Sequence, residues 1–121
     1  MAEKEMPQKD DAFLGRAANA LFDARTVLVF GEVNTALART VAAQLVALAA
    51  ASKDPIRMIV HSEGGHVEGA DTIHDMVKAV APDVKMYGTG WVASAGAHIY
   101  CAAKKENRFA LPNTRFLLHQ P

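Results

Sequence analysis

Only one cysteine, Cys101, occurs in the 121 residues. That excludes an internal disulfide framework and fits a reducing compartment. Neither sign of charge is in excess: 13 Lys and Arg balance 13 Asp and Glu. Nucleic-acid binders ordinarily carry a basic surplus, so that class is set aside. A formal charge of zero also leaves little self-repulsion, and self-association meets no electrostatic barrier. No apolar run has the length of a membrane span. The richest, residues 41–51, contains Gln44 and many alanines and reads as a packed helix. The start, MAEKEMPQKDDAF, is charged and lacks the apolar core of a secretory signal. Residues 1–12 are expected to form a flexible arm, residues 13–121 one domain, and the expected location is cytoplasmic. Metal signatures are missing too. The five histidines include no H-E-x-x-H, and a lone cysteine cannot build a Cys-rich zinc site.

What is present is an alternation of two periodicities. Residues 11–24 are rich in helix formers, with Phe13, Leu14, Ala17, Leu21 and Phe22 apolar. The run 26–30, TVLVF, predicts a buried strand ended by Gly31. Asn34 is placed to cap a helix carrying Leu37, Val41, Leu45 and Leu48, which stops at Ser52-Lys53-Asp54-Pro55. A second strand, 56–60, runs into Gly64-Gly65. A second helix bears Ile73, Met76, Val77 and Val80 and ends at Ala81-Pro82-Asp83. A third strand, 84–87, precedes Gly88-Thr89-Gly90 and a helix of small residues from about 94 to 104. Two short strands, 108–111 and 114–119, flank a Pro112-Asn113 turn. This order predicts an α/β fold of repeated β-α units with a largely parallel sheet. Such sheets carry function on loops beyond the carboxyl ends of their strands.

Two of those loops are unusual. Ser94 follows a strand and a glycine-rich loop, opens a helix, and is hemmed in by Ala93, Ala95, Gly96 and Ala97. A nucleophilic serine needs such a sharp approach and small neighbours, so that a substrate carbonyl can come close. G-x-S-x-G is only half matched, since Val92 stands at its first position, and for Ser94 taken alone a helix N-cap is the favoured account. Gly64-Gly65 can turn backbone N–H groups toward an oxyanion. As a phosphate loop it is poor, because no lysine follows and Glu63 repels phosphate; a tight turn is the simpler alternative. Of His61, His66, His74, His98 and His119, the last ends an apolar strand at the same edge as Ser94, where a general base would stand, although an isolated strand-end histidine is more often a surface residue. Cys101, two helical turns past Ser94, is expected in the core.

These blocks resemble one known family. Phe30-Gly31-Glu32-Val33-Asn34, Ser62-Glu63-Gly64-Gly65-His66-Val67, Ala93-Ser94-Ala95-Gly96-Ala97, Arg108-Phe109-Ala110-Leu111-Pro112-Asn113-Thr114-Arg115 and His119-Gln120-Pro121 resemble the proteolytic subunit of the Clp protease, in order and in spacing, from about residue 20 onward. The resemblance implies the ClpP/crotonase-like fold and a serine endopeptidase. It implies Ser94 as nucleophile, His119 as general base, and the N–H groups of Gly65 and Ala95 as oxyanion hole. It further implies heptameric rings stacked as a tetradecamer, an AAA+ unfoldase such as ClpX or ClpA that uses ATP, unfolded polypeptide as substrate, and no cofactor or metal on this chain. No nucleic-acid or membrane partner is implied.

Three departures accompany it. The family continues past the point matching Pro121 into a ring-joining helix and strand and the triad aspartate, and none of the aspartates here occupies that aspartate's place. A triad lacking its carboxylate loses about 10⁴ in kcat. The chain is therefore expected to be a fragment, or its third group to come from elsewhere. Glu63 stands where a proline is usual, and the first twenty residues do not resemble the family's pore loops. The alternatives are a non-catalytic ClpP-like assembly subunit and, against the Ser94 and His119 pairing, a crotonase-fold acyl-CoA enzyme.

Overall fold

Helices and strands alternate along residues 6–118, the part described by the structure, a computed structural model. The order is α1 (Met6–Asp23), β1 (Thr26–Val33), α2 (Thr35–Ala51), β2 (Ile56–Gly65), α3 (Val67–Ala79), β3 (Val84–Ala93) and α4 (Ala95–Tyr100). A 3-10 turn (Lys105–Asn107), β4 (Arg108–Ala110) and β5 (Arg115–Leu117) complete it. Every strand pairing is parallel, β1 to β2, β2 to β3, and β3 to both β4 and β5. The α/β reading with a parallel sheet is correct.

The core lies on one side of that sheet. Val27, Val29, Met58, Val60 and Met86 point into a cluster with Val41, Leu45 and Leu48 of α2, Ile73 and Val77 of α3, and Ile99 of α4. Alternate strand residues face the other way, and Leu28 and Phe30 remain exposed there. The α2 stripe predicted from the sequence is the buried one, and Asn34 caps it, its Oδ1 accepting from the Leu37 N–H at 2.8 Å. The other end of α2 is finished by a residue that helix periodicity did not single out. The Arg25 guanidinium donates to the carbonyls of Leu48 (2.9 Å), Ser52 (3.0 Å) and Asp54 (2.7 Å), tying the end of α2 to the turn that follows it.

Several boundaries differ from expectation. α1 begins at Met6, so it takes in residues 6–10 ahead of the predicted start; proline is tolerated in a first turn, and Pro7 stands there. The strands run past their glycines. β1 continues through Gly31 (φ 87°) to Val33 with a register shift between Phe30 and Glu32, and β2 continues to Gly65. Gly31 lies at that register shift, and Gly64 and Gly65 pair in register with Glu32 and Val33, where breaks were expected. α4 is shorter than predicted and stops at Tyr100, with turns to Ala103. Cys101 is exposed, against expectation, because it continues the face that carries the exposed Ser94 and His98. The last two strands occupy β3's free edge in succession. Between them Thr114 donates its hydroxyl toward the Gly88 carbonyl at 2.7 Å, pinning the Pro112-Asn113 excursion.

Candidate active site

Three chain segments converge at the carboxyl edge of the sheet. The first is the turn from β3 to α4. Ala93, Ala95, Gly96 and Ala97 are buried, whereas Ser94 between them is exposed. Its backbone sits at φ 52° and ψ −118°, one of two non-glycine residues with positive φ among those described. Holding a serine there costs on the order of 1–3 kcal/mol, which the surrounding packing must supply. The Ser94 N–H donates to the Leu117 carbonyl at 2.9 Å, and the His98 N–H donates back to the Ser94 carbonyl at 3.1 Å. Ser94 makes no side-chain capping bond to α4, which removes the N-cap account of its hydroxyl.

The second segment is the glycine end of β2. Gly64 (φ 120°) and Gly65 (φ 151°) have conformations that side chains rarely adopt. A Cβ on Gly64 would lie 3.0 Å from the Ser94 Cβ and 3.4 Å from its Oγ. Gly64 thus presses directly on the serine. A Cβ on Gly65 would run into the Val33 carbonyl oxygen. Ser62, which the sequence marks only as part of the loop, organises this segment. Its side chain is 1% exposed; its Oγ donates to the Gly31 carbonyl at 2.6 Å and accepts from the Gly64 N–H at 3.1 Å. Gly96 completes the fit, because a Cβ there would meet the Ser62 carbonyl at 2.9 Å. The serine two residues ahead of a glycine is a recognisable turn signal, so Ser62 was legible in principle.

The third segment is the end of β5, whose Leu117 carbonyl receives the Ser94 N–H. His119 lies outside the described residues. Of the four predicted site residues, the structure therefore brings together Ser94, Ala95 at the first position of α4, and Gly65 at the last of β2. Gly64 at the strand end and the first turn of a helix, whose leading N–H groups lack intrahelical partners, flank the exposed hydroxyl.

Beside Ser94 opens a cavity of about 320 Å³, walled by Val67 and Ala70 of α3, Ala95 and His98 of α4, and Leu118. Asp71 also lines it. The His98 Nε2 lies 3.0 Å from the Asp71 Oδ1, and the His74 ring stacks on that of His98, centroids 4.3 Å apart and planes 6° off parallel. Burial, followed by the neighbouring His98 and Lys78, holds the His74 pKa below the ordinary 6.5. Periodicity placed His74 and Asp71 on one helix, yet nothing in it showed that α4 would bring His98 across to them. Among the described residues no group of three or more His, Cys, Asp and Glu is arranged to hold a metal ion, and no helix is long and apolar enough to cross a membrane.

Comparison with known proteins bears on this geometry. The model of the Clp protease family matches residues 9–121. The chain is 58% identical over 119 residues to ATP-dependent Clp protease proteolytic subunit 3 of Rhizobium etli, covering 98% of this chain and 58% of that one. It is 59% identical over 104 residues to proteolytic subunit 2 of Gluconobacter oxydans, covering 84% and 46%. Among solved structures, ClpP1 from Listeria monocytogenes superimposes with a TM-score of 0.84 at 58% identity, over 87% of this chain and 62% of that one. The chain thus spans about half the length of the curated relatives it matches. With the serine turn, the glycine strand end and the RFALPNTR strand pair all in family order, the chain belongs to the Clp protease family.

Proposed function

We propose that this chain forms the nucleophile-bearing part of a serine endopeptidase subunit of a Clp-type ATP-dependent protease. The observation that carries the reading is Ser94: an exposed hydroxyl in a buried run, held at positive φ on a strand-to-helix turn with Gly64 against it. In this reading the Ser94 Oγ attacks the scissile carbonyl while His119 takes its proton. The oxyanion so formed accepts from the N–H groups of Gly65 and Ala95. Losing one such donor typically costs roughly 3–4 kcal/mol. His119 then protonates the leaving amine, and water, activated by the same imidazole, releases the acyl group.

The placement of His119 is supported by covalent geometry. It follows Leu117 by two residues, a span of at most about 7 Å, and the Leu117 carbonyl is already bonded to the Ser94 amide. No aspartate within 1–121 is assigned the orienting role. Asp71, the carboxylate in the cavity beside Ser94, is engaged by His98 instead. The subunit is proposed to assemble with copies of itself, as heptameric rings stacked into a tetradecamer, and to receive unfolded polypeptide from an AAA+ unfoldase in the cytoplasm. ATP is consumed by that partner, and no cofactor is assigned to this chain.

Peptide hydrolysis by the complete protein tests the reading. Ser94→Ala and His119→Ala are each expected to lower kcat by about 10⁶-fold. Wild-type turnover by Ser94→Ala would overturn it.

A further inference from the structure

The cavity beside Ser94 is apolar along its walls and acidic at one point. Val67, Ala70, Ala95 and Leu118 supply hydrocarbon, and among the described residues Asp71 supplies the only carboxylate. Among the described residues no lysine or arginine lines it. The Asp71 carboxylate is oriented by the structure. Its Oδ1 is 3.0 Å from the His98 Nε2, and the His98 ring is itself held by the parallel His74 ring 4.3 Å away. Among the described residues no hydrogen bond engages the Asp71 Oδ2. Lys78 belongs to the other side of this cluster: with His98, Asp71 and Asp75 it acts on His74, and it does not reach the cavity. An apolar channel with an oriented anion beside it suits an unbranched alkyl stem with a cationic tip, since lysine and arginine bury their methylenes while the charge seeks a polar partner.

We propose that Asp71, held by His98, determines specificity in this cavity, which takes lysine or arginine as the residue whose carbonyl Ser94 attacks. This rests on the peptidase reading above. His98 is a positioning residue, which engages the Asp71 Oδ1 at 3.0 Å and leaves Oδ2 to the incoming cation. The ion pair is half exposed, so its worth lies at the upper end of a surface pair, about a three- to fivefold change in affinity.

Binding separates this claim from the catalytic one. Two otherwise identical peptide amides, ending in lysine or in its uncharged analogue norleucine, are titrated calorimetrically into the complete protein carrying Ser94→Ala, with and without Asp71→Asn. The lysine peptide is expected to bind more tightly than the norleucine peptide. Asp71→Asn is expected to reduce that ratio about three- to fivefold while leaving the norleucine affinity unchanged. A norleucine preference in the parent, an unchanged ratio in Asp71→Asn, or equal losses for both peptides would each overturn the proposal. None of these results depends on turnover. Failure of the peptidase reading shows separately, as an unreactive Ser94 in the protein with its native serine.

Discussion

At the scale of single residues, the site is a matter of what side chains are absent. Gly64 leaves no room for a Cβ against Ser94, and its φ of 120° disfavours any side chain. Gly64→Ala is therefore expected to shift the serine and suppress peptide hydrolysis by about 10²-fold, the usual penalty for misplacing a reacting group by an ångström. Circular dichroism should show little change in secondary structure; wild-type turnover would mean that the contact does not position Ser94. His74 gives a pH prediction. Its pKa is lowered in the folded chain, chiefly by burial, so the folded state binds fewer protons than the unfolded one just below pH 6.5. This contribution is fully present above 6.5 and lost as pH falls from there through the lower folded value. Thermal midpoints at pH 7.5 and 5.5 should fall further for the wild type than for His74→Gln. Equal falls would remove His74 from the acid response.

At the scale of elements, sequence and structure agree where one periodicity governs. The α2 stripe Leu37, Val41, Leu45 and Leu48 could be read directly, because each step of three or four returns to the same helix face. Strand lengths could not, because a glycine that ends a strand and a glycine that bulges one look alike in sequence; only the partner strand decides. Ser94 was legible as a special serine from its small neighbours, but its positive φ was not. The pairing of His98 with Asp71 was invisible for a different reason, being a contact between α3 and α4 that neither helix's pattern encodes. Arg25 belongs with these long-range contacts. Its donation to Leu48, Ser52 and Asp54 closes α2 from 23 to 29 residues away. Arg25→Ala should cost about 1.5–3 kcal/mol in urea unfolding, the worth of a charge-assisted hydrogen bond to the backbone. A loss below half of that would show that water replaces the guanidinium without penalty.

At the scale of the whole molecule, one sheet face is packed and the other is open. Phe13 (62% exposed) and Leu14 (60%) on α1, with Leu28, Phe30 and Phe109 on the strands, leave large apolar side chains in water. Zero net charge adds no repulsion between copies. The complete protein is accordingly expected to sediment as an assembly of many subunits, and a monomer at micromolar concentration would contradict that expectation. The sequence made such association permissible through its charge balance; the structure adds which surfaces need covering.

All three scales meet at one claim, that Ser94 is a nucleophile. Treatment of the complete protein with a fluorophosphonate probe, followed by mass mapping of its peptides, tests it most directly. The account predicts a single adduct on Ser94, absent from Ser94→Ala. An adduct elsewhere with Ser94 unmodified, or none under conditions that label a reference serine peptidase, would contradict it.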